Sequence, residues 1–314
     1  MIHLTDEAVR ASLPWPALAQ AIERLVIEDA VTAPRRLTYE LPPAPGGCAP
    51  GHLLVMPAWL GGALIGIKTV TFRRDNGEQG ERSHGASYLL IDGRTGDTVA
   101  VLDGRALTER RTAAVSALAA GRLAGPAASR LLVIGTGPVA RNLALAHAAS
   151  RMLTQVEVYG RDPEKAAAMV GCLRREGVAA QVSRDLAASA GAADIISMAT
   201  SAKAPILRGA WIQPGTHIDL VGSFTPDMRE VDDDLMGRAD LIWVDTMVAL
   251  EESGDLVTPL AQGVIGPGAI AGDLRGLLMT PVLTRAADHV TVFKSVGFAT
   301  PDLAAAQAAL AAAV

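Results

Sequence analysis

The chain of 314 residues carries 28 Lys and Arg against 33 Asp and Glu, a formal net charge of −5, with 50% of its residues hydrophobic and 19% charged. That length can bury a sizeable core and divides naturally into two domains, and the balance is that of a globular protein rather than a disordered one. No run of Lys or Arg supplies an electrostatic footprint for nucleic acid, and 4% aromatics leave little to stack against single strands. Cys48 and Cys172 stand in unrelated contexts with no partner at metal-ligand spacing, which argues against a structural zinc site and fits a reducing compartment. The N-terminal segment lacks the unbroken apolar core of a signal peptide and no stretch reaches membrane-spanning length, so a cytoplasmic protein without membrane or nucleic-acid partner is expected.

The elements follow in chain order. An amphipathic helix is expected over about 5–30, then strands His52–Pro57, Leu64–Phe72, Ser87–Asp92 and Asp97–Asp103, punctuated by Pro- and Gly-rich connections such as 42–47. Successive strands without intervening helices predict an antiparallel or mixed sheet. After residue 110 the pattern changes. An Ala-rich helix, Thr112–Leu123, leads to the apolar strand Arg130–Ile134; a helix, strand Gln155–Tyr159, helix Pro163–Glu176 and strand Ala179–Val182 follow. Strands Asp194–Met198, Thr216–Val221 and Asp240–Val244 continue the series, and the tail carries strand His289–Lys294 and an Ala-rich helix Pro301–Ala313 that packs back on the first domain. Short apolar strands alternating with helices predict a parallel sheet covered on both faces.

The strand ending at Ile134 runs straight into Gly135-Thr136-Gly137-Pro138-Val139-Ala140, a G-x-G-x-x-A turn between a strand and a helix. Gly135 permits the tight turn, Gly137 lets a pyrophosphate approach backbone N–H groups at a helix N-terminus, and Pro138 suits the first helical turn. A dinucleotide is therefore expected, on Gly135, Thr136, Gly137, Pro138 and Val139. The second strand ends Val158-Tyr159-Gly160-Arg161-Asp162, with Gly160 where an NAD site places its acid and with Arg161 next to it. A missing carboxylate and an adjacent guanidinium favour a 2′-phosphate, so NADPH is the expected cofactor and NADH the alternative, with Asp162 read as the cap of the following helix.

In the first domain Arg36, Lys68 and Arg111 sit among apolar or small residues. A lysine inside Leu64–Phe72 is an odd choice for a buried strand face unless it meets an anion. At this point a resemblance emerges. The stretches LLVMPAW, GIKTVTF, LLIDGRTGDTVAVLDGRALTERRTAAVSALAA, IQPGTHIDLVGSFTPDMREVDDDLM and TVFKSVGFATPDLAAA, together with the Gly135 turn, resemble the ornithine cyclodeaminase/mu-crystallin family over nearly the whole chain. The resemblance implies an α/β fold. A Rossmann-type doubly wound parallel sheet over 112–295 joins an α+β substrate-binding and dimerisation domain built from both chain ends, 1–111 and 296–314. It also implies a homodimer, a substrate carboxylate held by Arg36, Lys68 and Arg111, and a cofactor site to which Thr112, Thr200, Ser223, Lys294 and Ser295 contribute, the last two beside the nicotinamide.

One departure matters. Where the cyclodeaminases carry an acid two positions before a proline, this chain reads Gly222-Ser223-Phe224-Thr225-Pro226, so Phe224 replaces the group that would act on a substrate amine. The wording around it is most similar to the branch that reduces Δ1-pyrroline-2-carboxylate to L-proline and Δ1-piperideine-2-carboxylate to L-pipecolate. That implies an NADPH-dependent imine reductase with a small imino acid as substrate and Phe224 against its apolar ring. The expected proton donors are His84 and Lys68. The acidic stretch Glu230–Asp234 reads instead as a charged first helical turn. An amino-acid dehydrogenase such as alanine dehydrogenase, a cyclodeaminase, and a non-enzymatic NADP- or small-molecule-binding protein are the alternatives.

Overall fold

The computed structural model describes residues 1–43, 50–73, 84–281 and 283–313, and the chain divides into two compact units, Met1–Arg111 with Phe298–Val314, and Thr112–Gly297.

The first unit opens with β1 (Ile2–Leu4), α1 (Asp6–Ser12) and α2 (Trp15–Glu28). The single helix expected over about 5–30 is thus two. Pro14 pushes Leu13 out of the helical region, and the chain restarts with Pro14 as the cap of α2. Then come β2 (Val31–Thr32), β3 (Leu37–Leu41), β4 (Gly51–Leu60), β5 (Leu64–Phe72), β6 (His84–Asp92) and β7 (Thr98–Asp103). They form one mixed sheet in the order β1-β7-β6-β5-β4-β2, with β3 also paired to β4; β1 runs parallel to β7 and every other pairing is antiparallel. Helix α3 (Gly104–Leu123) starts well before Thr112, because the Asp103 carboxylate accepts the Arg105 and Ala106 N–H groups and caps it; its residues to Arg111 belong to the first unit.

The second unit contains β8 (Arg130–Ile134), α4 (Pro138–Ser150), β9 (Gln155–Tyr159), α5 (Pro163–Arg175), β10 (Ala180–Val182), α6 (Leu186–Ala192), β11 (Ile195–Met198), β12 (His217–Leu220), α7 (Asp233–Arg238), β13 (Leu241–Val244), α8 (Ala249–Glu252), α9 (Gly254–Ala261), β14 (Ile270–Asp273), α10 (Leu274–Met279) and β15 (Thr291–Lys294). All eight strands are parallel, in the order β10-β9-β8-β11-β12-β15-β13-β14. Successive strands step one way from β8 to β10 and the other way from β11, so the order reverses at β8/β11, the position where open α/β sheets leave a ligand crevice at the strands' carboxyl ends. Asp162 caps α5 as expected, accepting from Glu164 and Lys165 N–H. Inside the sheet, Asp219 on β12 accepts the Ser197 hydroxyl and stands 2.9 Å from His147 Nε2 and 3.0 Å from His217 Nε2. Burial pushes that carboxyl up, but the two imidazoles outweigh it and hold it below the usual carboxylate range.

Helix α11 (Ala299–Ala313) returns to the first unit, where it packs on α1, α2, β4 and β5. Among the described residues, no helix is long and apolar enough to cross a membrane.

Candidate functional site

In the first unit, pairing register decides which side chains meet. Lys68 lies opposite Met56 on β4 and Tyr88 on β6, and all three are buried on the sheet face that α11 covers. The anion that Lys68 was expected to need is the chain's own. Lys68 Nζ is 2.7 Å from Asp302 Oδ2, and Arg111 Nε donates to Asp302 Oδ1 at 2.7 Å, with the Asp302 side chain fully buried and those of Lys68 and Arg111 at 2% and 5% exposure. Two of the three expected anion-binding cations therefore converge on one carboxylate. Arg36, half-buried between β2 and β3, adds its charge to the field at Lys68. Burial lowers the Lys68 ammonium to about 8, with Arg111 pushing the same way and Asp302 opposing. Asp302 belongs to no motif in the sequence. Its only sequence signal is a carboxylate in an otherwise small and apolar helix, FATPDLAAA. His84 opens β6, and its side chain lies outside the described residues.

The second unit gathers its features at one edge of the sheet. Register aligns Ile134, Met198, Leu220, Lys294 and Val244, so the segments that follow them share the carboxyl ends of adjacent strands. Gly135 adopts φ +127°, where an L side chain is strained, and a Cβ there would collide with the Ala199 carbonyl oxygen. Gly137 caps α4 in an extended conformation without a side-chain cap, so among the described residues no side chain caps the first N–H groups of that helix. Those groups, with Pro138 and Val139 in the first turn, fit a pyrophosphate. A Cβ at Gly160 would strike Thr136 Cγ2, so a side chain at the place of an NAD site's acid would require Thr136 to shift; Arg161 beside it is exposed.

Other expected cofactor residues are occupied internally. Ser223 is buried; its hydroxyl donates to the Met228 carbonyl at 2.7 Å and lies 2.9 Å from Ser253 Oγ. Lys294 is fully buried against Asp255, Nζ to Oδ2 3.2 Å, and Ser295 donates to Asp245 Oδ2 at 2.8 Å. Thr200 donates through N–H and Oγ1 to Glu230 Oε1, both at 2.8 Å. Thr112 is buried in α3.

Glu230 corrects the reading of the acidic stretch. Helix α7 begins only at Asp233, with Asp232 as its cap, and Glu230 is a fully buried carboxylate upstream of it. Its other oxygen accepts the Gly222 N–H at 2.7 Å and the Ser223 N–H at 3.3 Å, while the Glu230 N–H donates to Asp255 Oδ1 at 2.8 Å. Burial raises the Glu230 carboxyl, and Lys294 pulls against that rise. Glu230, Asp255 and Lys294 thus tie together the segments leaving β11, β12 and β15 and the start of α9. Phe224, in the same post-β12 segment, is 41% exposed.

The chain is similar to known proteins over most of its length. The sequence profile of the ornithine cyclodeaminase/mu-crystallin family matches residues 42–312. A Δ1-pyrroline-2-carboxylate reductase of Paracoccus denitrificans is 38% identical over 94% of this chain and 96% of its own, and the ketimine reductase mu-crystallin of Mus musculus is 35% identical over 82% and 79%. A solved Thermococcus litoralis Δ1-pyrroline-2-carboxylate reductase, in complex with NADH and L-proline, superposes with a TM-score of 0.92 at 28% identity, covering 100% of this chain and 97% of its own.

Proposed function

The chain belongs to the ornithine cyclodeaminase/mu-crystallin family, and from that premise we propose that it is an NADPH-dependent reductase of cyclic imino acids. Its substrate is Δ1-pyrroline-2-carboxylate, Δ1-piperideine-2-carboxylate or both, giving L-proline or L-pipecolate. The observation that carries this reading is the convergence of Lys68 and Arg111 on one buried carboxylate, which leaves the trio with one positive charge in excess. An excess buried charge is costly until an anion answers it, and a substrate carboxylate is that anion.

The second unit holds the dinucleotide on the Gly135 turn, and the nicotinamide supplies the hydride. Arg111, Lys68 and Arg36 hold the substrate carboxylate and so fix the orientation of the ring. Lys68, lowered to about 8, keeps a proton near neutrality and releases it more readily than a surface lysine, which suits it to protonate the imine nitrogen. Phe224 offers no carboxylate to a side-chain ammonium, which disfavours ornithine. The homodimer expected of this family finds support in the outer face of the first unit's sheet, opposite α11. There Leu37 and Tyr39, at 51% and 52% exposure, share a face with Val55, Trp59, Ile65 and Ile67, an apolar surface suited to a second copy.

NADPH oxidation followed optically, with each imine and with NADH in parallel, tests the reading. Turnover favouring NADPH is expected. Arg161→Ala should cut the NADPH/NADH preference by about tenfold or more, the value of a charge-assisted hydrogen bond to phosphate; an unchanged ratio would remove Arg161 from the specificity argument. Pyruvate with ammonia, or ornithine, turning over in place of the imines would move the protein to a dehydrogenase or a cyclodeaminase.

A further inference from the structure

We propose that Asp302 is a positioning residue of the anion site: from the first turn of α11 its carboxylate keeps Lys68 charged and sets it beside Arg111 so that the two act on one substrate carboxylate. The inference rests on the functional reading above only for the identity of that carboxylate.

Geometry carries the argument. The three side chains come from β5, α3 and α11, and each Asp302 oxygen takes a different cation at 2.7 Å with no solvent exposure. A triad of this kind is a poor device for stability alone, because the desolvation of three charges offsets most of their attraction. Its effect is to fix two long, rotamer-rich cations in one arrangement before a ligand arrives, which spares the ligand that ordering cost.

The groups around Lys68 show what Asp302 contributes. From α3 comes the Arg111 guanidinium, and from the segment before β3 the charge of Arg36. From β6 comes Tyr88, opposite Lys68 in register, a fully buried phenol whose hydroxyl lies where a Cβ on Gly66 would be and has no hydrogen-bond partner among the described residues. Burial pushes the Tyr88 phenol well up, so it stays neutral. Of these groups Asp302 alone is negative. Without it Lys68 would face burial and two cations, and would give up its proton more readily.

The chain contains four lysines, Lys68, Lys165, Lys203 and Lys294, so a sample labelled with 13C at lysine Cε gives a spectrum in which Lys68→Met identifies the Lys68 resonance. In the wild type that resonance should titrate near pH 8. In Asp302→Asn it should move down by about one pH unit or more, the effect of losing an opposite charge at contact distance. The basic limb of kcat/KM for the imino acid should move with it, and KM at pH 7.5 should rise about tenfold or more with a smaller change in kcat. A purely structural Asp302 would lower Tm and leave the titration in place, and that result overturns the proposal. Should Asp302→Asn fail to fold, Asp302→Glu keeps the charge on a longer arm: the titration should stay near the wild-type value while KM rises, and an unchanged KM overturns the proposal. A shifted Lys68 titration in a protein that reduces no imino acid would instead overturn the functional reading and leave the role of Asp302 standing.

Discussion

Arg111→Ala should lower kcat/KM for the cyclic imino acid by roughly 30-fold to several thousand-fold, the range for removing one member of a buried charge pair that meets a ligand. The Arg111 guanidinium is nearly buried, and one of its nitrogens is already spent on Asp302 Oδ1, so on the proposed reading its remaining N–H groups would answer the substrate carboxylate in a desolvated setting where charge-assisted bonds are strongest. Its removal also changes the charge count. Asp302 would then be answered by Lys68 alone, and the trio would lose the excess positive charge that calls for an anion. Because Asp302 keeps Lys68, folding should survive better than activity does. Dinucleotide binding, followed by protein fluorescence, should be retained, since the Gly135 turn belongs to the other unit. The loss should fall on KM first, as expected when an interaction made to substrate and transition state alike is removed. A kcat/KM within a few-fold of the wild type would refute the carboxylate assignment.

Lys294→Met should destabilise the second unit by about 3–5 kcal/mol, the typical cost of leaving a buried charge without its partner. For a unit of this size that corresponds to a fall in Tm of about 6–20 °C. The stranded groups are Asp255, fully buried and held by the Glu230 and Val231 N–H groups, and Glu230 itself, whose carboxyl Lys294 now pulls down against burial. Losing the ammonium lets Glu230 rise further. A carboxyl whose folded value lies above its unfolded one weakens the fold as pH climbs, so the part of the defect that comes from Glu230 should shrink as pH falls and that carboxyl takes a proton. Lys294→Met combined with Asp255→Asn should recover most of the lost stability, because the two positions share one interaction. The family resemblance assigns Lys294 to the nicotinamide; were that its whole role, Lys294→Met would weaken dinucleotide binding and leave Tm unchanged.

The legibility of the chain followed the range of the interactions. The Gly135 turn was readable because everything that defines it lies within about ten residues: an apolar strand, glycines where the backbone turns, and a helix start. The alternating strands and helices of the second unit were readable for the same reason, as was the Asp162 cap. The ends of elements are less legible, because a single proline or capping side chain moves them without changing the hydrophobic period. Pro14 split one expected helix into two, and the Asp103 cap moved the start of α3 upstream. The charged core was only half legible. Lys68 announced itself as a cation on a strand face that needed an anion, but that anion lies on the last helix, 191 positions from its other partner Arg111. No local pattern joins them. Glu230 was hidden by its neighbours, since the acids that follow it do cap and open a helix while Glu230 turns inward to the loops after β11 and β12.

The most direct test of the central claim is a single turnover with NADPH carrying deuterium at both positions of nicotinamide C4 and Δ1-pyrroline-2-carboxylate as substrate. Hydride transfer to the imine carbon predicts L-proline with one deuterium at Cα, and the same with L-pipecolate from the six-membered imine. Proline free of deuterium, or no proline at all under conditions where the dinucleotide is bound, would contradict it.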